Sequence, residues 1–404
     1  MAIACGGTGG HLFPGLAVAE ALQERGCDIA LLISPKEVDQ HAVKAAHGME
    51  VVTIPAVGFA LSTVFFSSAF KSFQICRRQF RARPPQAVLA MGGFTSAAPV
   101  IAGKISGAAT FLHEANSIPG KANRWLAPLV DEVFVGFPSA APLLKNSAVT
   151  VTGTPVRTSF SVSDPAACRM AMGLDPARPT LLVMGGSQGA SAINELAMTA
   201  LPLFRSKAPA WQYLHLTGER DCEKVRSAYQ AHQMKAMVRP FLTEMELALG
   251  AATVAINRAG ASSLAEMAAM RLPCILIPYP TAADNHQYFN AKAFMESGAA
   301  RQLDQASANP EHLVKLVLEL GADSIVRQHM CTALQHWHFP DAATHIAERM
   351  LALMRKPRPV APERTGPDPK TERNKHWPSP HQVTLANRAL QKSESIKPTE
   401  LQSP

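Results

Sequence analysis

The sequence is short of several things, and each shortage removes a class of function. It has no Asp-x-Asp pair and no His, Cys and Asp cluster at metal-ligand spacing, so no metal site and no cofactor is expected. Its 7 cysteines (Cys5, Cys27, Cys76, Cys168, Cys222, Cys274 and Cys331) are scattered, odd in number and include no Cys-x-x-Cys pair. That argues against a disulfide framework and a structural zinc, and for reduced thiols. No run reaches the roughly 18 apolar residues that a membrane span requires. Met1-Ala2-Ile3-Ala4-Cys5 leads straight into glycines without a basic leader, so a chain that stays in the cytoplasm is expected. Charged residues are only 17% of the 404 positions, yet the net charge is +8. Such a balance suits phosphates, nucleic acid or an anionic membrane. The basic residues form no RNA- or DNA-binding motif, and nucleic acid is not expected as a partner.

What is present is a core-forming chain, 47% hydrophobic, with short apolar runs alternating with helical patterns. The runs predict strands at Met1–Cys5, Asp28–Ile33, Glu50–Ile54, Gln86–Met91, Ala109–His113, Asp131–Gly136 and Ala148–Thr152. A second series is predicted at Thr180–Met184, Trp211–Leu216, Lys235–Arg239, Thr253–Ile256, Pro273–Ile277 and Ala299–Leu303. Near-continuous apolar strands separated by helices read as parallel sheets covered on both faces. The expected fold is α/β, two doubly wound Rossmann-like domains facing across a cleft, over residues 1–157 and 158–340. A last helix is expected over 341–355, with Asp341 as its N-cap. Residues 357–404 are rich in Pro, Lys and Ser, and a disordered tail is expected there.

Each half opens with a strand and a glycine-rich turn, Gly6-Gly7-Thr8-Gly9-Gly10-His11 and Gly185-Gly186-Ser187-Gln188-Gly189. Ligands of such sheets bind at the carboxyl ends of the strands, where glycines let the backbone approach a phosphate and helix N-termini supply free N–H groups. The alternative is a tight turn without a ligand. A nicotinamide site is disfavoured, because the Gly-x-Gly-x-x-Gly spacing fails and the second strand ends in Ile33-Ser34 without a ribose-binding acid. The first helix is expected to start near Pro14 and stop before Gly26, leaving His11 at the end of the loop. There it is either a proton-accepting imidazole or a histidine bonded to backbone. Arg157 at the domain junction can reach a diphosphate or form a surface ion pair. In Asn257-Arg258-Ala259-Gly260-Ala261-Ser262-Ser263-Leu264-Ala265-Glu266 a strand passes through a small-residue turn into a helix. Glu266 can there accept both hydroxyls of a ribose, or merely stabilise the helix end. Asp284-Asn285-His286-Gln287 can grip sugar hydroxyls or be a solvated loop.

These motifs, with Leu12-Phe13-Pro14-Gly15, His113-Glu114-Ala115-Asn116 and Thr152-Gly153-Thr154-Pro155-Val156-Arg157, give the chain its resemblance to a known family. Over residues 1 to about 355 it resembles the MurG family of UDP-N-acetylglucosamine transferases, which act on undecaprenyl-diphospho-muramoyl pentapeptide, converting lipid I to lipid II. The resemblance implies a GT-B fold and an inverting, metal-independent transfer at the cytoplasmic face of the inner membrane. UDP-N-acetylglucosamine, the lipid I acceptor and an anionic membrane surface would be the partners, with other cell-wall synthesis proteins still to be identified. It implies donor contacts from Thr8, Gly9, Gly10, Asn116, Arg157 and Ser187. Leu242 would meet uracil through its backbone, Ala261, Ser262, Ser263, Leu264, Ala265 and Glu266 would line diphosphate and ribose, and Gln287 would bind the sugar. His11 would take the proton of the muramoyl 4-hydroxyl. The N-terminal domain would hold acceptor and membrane, with the last helix packed back on it, and the C-terminal domain the donor. Two departures stand out: Phe94 where many relatives have Tyr, and His286 where some have a second Gln. A glycolipid synthase, a UDP-N-acetylglucosamine 2-epimerase and a non-catalytic sugar-nucleotide-binding subunit are the rival readings.

One segment joins apolar and basic residues. Phe65, Phe66, Phe70 and Phe73 precede Arg77 and Arg78, and Phe66, Phe70, Phe73 and Arg77 recur at helical spacing. Such a surface suits the headgroup region of an anionic leaflet; the plain alternative is that the phenylalanines are core. An acceptor held at the bilayer by a long lipid favours the membrane reading.

Overall fold

The computed structural model describes residues 1–7, 9–36, 48–55, 63–186 and 189–355, except for the side chains of residues 63–66, 94 and 355. The expected tail at 357–404 lies outside the described residues. The first half runs β1 (Ala2–Ala4), α1 (Gly9–Gln23), β2 (Ala30–Ile33), β3 (Glu50–Thr53), α2 (Thr63–Ala82), β4 (Ala87–Ala90), α3 (Ala97–Ile105), β5 (Ala109–Glu114), α4 (Lys121–Leu126), β6 (Glu132–Val135) and β7 (Val149–Val151). The second runs α5 (Pro165–Ala171), β8 (Thr180–Met184), α6 (Ser191–Lys207), β9 (Gln212–Leu216), α7 (Cys222–Ala231), β10 (Ala236–Arg239), α8 (Met245–Ala251), β11 (Val254–Asn257), α9 (Ala261–Ala269), β12 (Cys274–Leu276), α10 (His286–Glu296), β13 (Arg301–Gln302), α11 (Pro310–Ala322), α12 (Ser324–Trp337) and α13 (Ala342–Arg355).

Two wholly parallel sheets result, ordered β3-β2-β1-β4-β5-β6-β7 and β10-β9-β8-β11-β12-β13. Central strands such as β4, β5, β8 and β11 are buried at every residue, while the edge strand β3 alternates between half-buried and exposed. That contrast is what helices on both faces of a parallel sheet require. In each sheet the chain order reverses beside the first strand, between β1 and β4 and between β8 and β11. Both glycine loops leave their strands at these switch points, where a crevice opens.

Helix α1 departs from expectation. It begins at Gly9, so Pro14 lies inside it and His11 stands in its first turn rather than at the end of a loop. Pro14 forgoes one ladder hydrogen bond. The helix rests closely on the end of β1, where a Cβ on Gly15 would lie 2.5 Å from Cys5 Cβ. At the other end Gly26 takes φ +77°, and the Cys27 amide donates to the Leu22 carbonyl at 3.1 Å, closing the helix as a glycine stop does.

The polar stretch before residue 165 is a helix start. Asp164 caps α5, accepting from the amides of Ala166 (3.1 Å) and Ala167 (3.3 Å), with Pro165 in the first turn. The last helix, α13, packs on α1 and delivers Ile346, Ala347 and Met350 to the core of the first sheet. Arg349 anchors it, donating from Nε and Nη2 to Glu132 Oε1 at 3.0 and 2.8 Å. Asp341 occupies the cap position by main chain, its carbonyl accepting from the His345 amide at 2.7 Å.

Candidate active site

The first glycine loop is held from three sides. A Cβ on Gly6 would lie 2.3 Å from the Ser34 amide nitrogen, so only glycine lets β1 and β2 approach there. Thr95 Oγ1 donates to the Gly6 carbonyl at 3.0 Å, and Lys36 Nζ donates to the Gly7 carbonyl at 2.7 Å. Thr8 lies outside the described residues. Gly9 is buried and Gly10 exposed at the start of α1. His11, half-buried, lies over the Gly92-Gly93 turn that follows β4: a Cβ on Gly92 would be 3.1 Å from its Nε2, and one on Gly93 3.2 Å from its Cε1. Both glycines have positive φ, +110° and +78°, so the turn presents bare backbone to the imidazole.

Beneath His11 the carboxyl end of β5 forms a buried polar floor. His113 Nε2 donates to the Gly153 carbonyl at 3.1 Å, and burial lowers its pKa to about 4, keeping it neutral. Glu114 accepts from the amides of Asn116 (2.8 Å) and Gly120 (2.9 Å) and from the side chains of Asn116 (3.2 Å) and Asn123 (2.8 Å). Burial pushes its carboxyl above the usual range and these donors pull it back. The Asn116 side chain is thereby committed: its Nδ2 serves Glu114, and its Oδ1 accepts from Asn290 Nδ2 at 3.0 Å. Asn290, on α10 and fully buried, also donates to the Ala259 carbonyl (3.1 Å) and accepts from Ser117 N and Oγ (both 2.9 Å). One amide thus ties the β5 loop to the second sheet. Arg124 adds an ion pair to Asp284 at 2.8 Å.

On the second side, Ser187 lies outside the described residues. Helix α9 begins after Gly260, with Ser262, Ser263, Ala265 and Glu266 half-buried. Ser262 Oγ is buried with no partner among the described residues, a hydroxyl that a ligand can satisfy. Leu264 was expected to line the ligand, but its side chain is wholly buried in the core, and Ala261 is 7% exposed, so these two offer backbone alone. The reason is helical spacing, which turns Leu264 and Met267 inward together. Glu266 stands in the second turn of α9, and its carboxyl is raised to about 7, chiefly by burial; Arg157 opposes the rise and Glu246 adds to it. Arg157 Nη2 is 4.0 Å from Glu246 Oε2, and its guanidinium lies over the rings of Phe13 (5.2 Å) and Phe160 (5.1 Å). Leu242 follows β10 and packs partly on the core. Gln287 is half-buried in the first turn of α10, its Oε1 accepting from the Tyr279 amide at 3.0 Å. Asp284 and Asn285 before it take left-handed φ of 51° and 53°, a strained pair for non-glycine residues.

Arg157 thus acts on Glu266 and lies over Phe13 of α1, Asn290 links Asn116 to Ala259 just before α9, and His11 lies close enough to act on His113. Sequence reasoning passed over Asn123, Asn290, Glu246 and Lys36 and gave Glu114 no role. Asn290 had a signal, lying one helical turn beyond His286 on the same side of α10. Among the described residues no His, Cys, Asp and Glu group is placed to hold a metal ion. A cavity of about 400 Å³ opens at the opposite, amino-terminal ends of the first sheet's strands, but its Arg83 is already paired with Asp28 (3.1 Å) and Glu50 (3.3 Å).

The basic and aromatic segment forms α2. Phe70 is 61% exposed, and Arg77 and Arg78 are exposed too. Phe73 is corrected: it is half-buried against the core beneath α2, beside the wholly buried Cys76 and near Phe80, because it turns toward the stripe that faces the sheet. The side chains of Phe65 and Phe66 lie outside the described residues. Helix α3 packs on α2 and exposes Ile101 and Ile105; Trp125 of α4 and Leu129 are exposed as well, and Lys104 donates to the Leu129 carbonyl. Among the described residues no helix is long and apolar enough to cross a membrane.

Comparison with known proteins agrees with this architecture. Residues 1–135 match the glycosyltransferase family 28 N-terminal domain, and residues 180–346 match its C-terminal domain. The chain is 37% identical over 329 residues to the UDP-N-acetylglucosamine--N-acetylmuramyl-(pentapeptide) pyrophosphoryl-undecaprenol N-acetylglucosamine transferase of Verminephrobacter eiseniae, covering 80% of this chain and 90% of that one. A crystal structure of Acinetobacter baumannii MurG superposes with TM-score 0.68 at 27% identity, over 87% of this chain and 99% of the other. The S. aureus MnaA–UDP co-structure, at TM-score 0.63 and 14% identity over 87% and 96% of the two chains, shares the fold. With two parallel α/β halves, both family 28 domains and relatives matched over most of their length, the chain belongs to the MurG family of GT-B glycosyltransferases.

Proposed function

We propose that the chain transfers N-acetylglucosamine from UDP-N-acetylglucosamine to the muramoyl 4-hydroxyl of lipid I, with inversion, producing lipid II. The observation that carries this reading is the crevice itself. A histidine on a bare glycine turn stands on one side, and a cation with a raised carboxylate stands where the second side begins. The acceptor oxygen attacks the anomeric carbon as His11 takes its proton, and the bond to the UDP oxygen breaks on the opposite face. Amides at the start of α9 and the Arg157 guanidinium stabilise the departing diphosphate. Glu266, once ionised, accepts the ribose hydroxyls. Gly9 and Gly10 at the start of α1, together with Thr8 and Ser187, contact the donor, Leu242 supplies backbone to the uracil, and Gln287 holds the sugar. Asn116 acts by fixing the loop, since its amide is already bonded on both sides.

In this reading residues 1–157 carry the acceptor and residues 158–340 the donor. The outer faces of α2 and α3 dock the chain peripherally on the inner leaflet of an anionic membrane. Exposed Phe70, Ile101, Ile105 and Trp125 with Arg77 and Arg78 support that surface. The deciding experiment is turnover of UDP-N-acetylglucosamine with lipid I, with diacylglycerol and with no acceptor, each with and without chelator. Transfer to lipid I alone, undiminished by chelator, is the expected result. Sugar transfer to diacylglycerol, or conversion of the donor without acceptor, would instead establish one of the rival activities.

A further inference from the structure

Arg157 is surrounded by more negative charge than a diphosphate site requires. Glu246, in the first turn of α8, places Oε2 4.0 Å from Nη2, close enough for attraction and too far for a hydrogen bond. Neither Arg157 Nε nor Glu246 Oε2 has a hydrogen-bond partner among the described residues, although both atoms are buried. The pair is therefore held by charge alone, and an incoming anion displaces it without breaking a direct hydrogen bond. Phe13 and Phe160, whose rings lie 5.2 and 5.1 Å from the guanidinium carbon, help keep it in place when its anion changes. Other charges converge on the same point: Arg157 acts on Glu20 of α1 and on Glu266 of α9, and Glu246 acts on Glu266. Helix α12, also packed on α9, carries Arg327, which is spent on the Leu320 and Gly321 carbonyls, together with His329 and His336.

We propose that Glu246 is a tuning residue of the donor site: it neutralises Arg157 while the crevice is empty and so weakens the enzyme's hold on the nucleoside diphosphate. This rests on the reading of the crevice as the donor site. Three effects of the Glu246 carboxylate act in one direction. It lowers the pull of Arg157 on an anion, it repels the bound diphosphate, and it favours the protonated form of Glu266, which cannot accept from both ribose hydroxyls. The consequence is faster release of UDP after transfer, at the expense of donor affinity.

The test is calorimetric titration of UDP into the full chain between pH 6 and pH 8. The near-isosteric Glu246→Gln is expected to bind UDP about three- to tenfold tighter at pH 7, the scale of a partly exposed ion pair with some desolvation. The gain should be larger at pH 6 than at pH 8, because Glu266 is more protonated in the parent at the lower pH. In turnover the variant lowers KM for the donor without raising kcat. With Arg157→Ala, UDP binding weakens, and adding Glu246→Gln to that background yields a smaller gain. Unchanged or weaker UDP binding by a Glu246→Gln protein of parental melting temperature, or a gain independent of pH, overturns the proposal. If Arg157→Ala binds UDP as tightly as the parent, the donor-site reading falls and the proposal falls with it. Glu246→Ala repeats the measurement should the glutamine form a new hydrogen bond to Arg157.

Discussion

Glu266→Gln should make the empty protein more stable and weaken its hold on the nucleotide. The carboxyl is lifted from an ordinary 4.5 to about 7 by burial, against the pull of Arg157. A folded-state pKa above the unfolded one means that the native state binds the proton more tightly, so this group's contribution to stability is full below about pH 4.5 and is lost as pH rises through about 7. At roughly 1.4 kcal/mol per pH unit, holding the carboxylate ionised at pH 8 costs about 3 kcal/mol, an upper figure because Arg157 can shift toward it. Glutamine, neutral and nearly the same shape, avoids that cost. Urea unfolding without nucleotide should show the variant more stable by up to about 3 kcal/mol at pH 8, narrowing to about 1 kcal/mol or less at pH 5. Saturating UDP should narrow or cancel that difference. A charge-assisted hydrogen bond to ribose is worth about 1.5–3 kcal/mol, so UDP should bind the variant roughly tenfold or more weakly. Equal stability of the two proteins at pH 8 would refute the burial argument. Unchanged UDP affinity would show Glu266 to be a helix carboxylate with no part in the site.

His11→Ala should lower kcat by about 10²- to 10⁴-fold while UDP binding, followed by calorimetry, stays close to parental; parental turnover would rule out the base role. Gly92→Ala should reproduce part of that loss with His11 itself unsubstituted. Its Cβ would lie 3.1 Å from His11 Nε2 and 3.2 Å from Asn123 Nδ2, at a φ of +110° that costs alanine about 1–2 kcal/mol, so a variant with parental kcat would mean that the imidazole is not positioned by that turn. Phe70→Ser combined with Arg77→Glu and Arg78→Glu should reduce sedimentation with anionic liposomes while activity on a short-chain, soluble acceptor survives; undiminished sedimentation of the folded variant would place the docking surface elsewhere.

Local pattern alone determined the strands, because a buried parallel strand must be apolar along its whole length and the glycines that end it are visible as such. Every predicted strand is present, each within two residues of its expected ends, and both glycine turns fall at switch points. The motifs that contain His11, Arg157 and Glu266 were legible for the same reason: each follows the carboxyl end of a strand, β1, β7 or β11. Tertiary structure decided the rest. Whether Phe73 faced lipid or core depended on how α2 lies on its sheet, and how closely α1 approaches β1 depended on the fit of Gly15 against Cys5. The carboxylate beside Arg157 had no sequence pattern to reveal it, and the helical spacing that marks Asn290 did not name its partners. Asn290 meets Ser117 across 173 positions and Arg349 meets Glu132 across 217. Periodicity reports which way a side chain points within its own element, whereas the partner it meets is fixed only when separate elements pack.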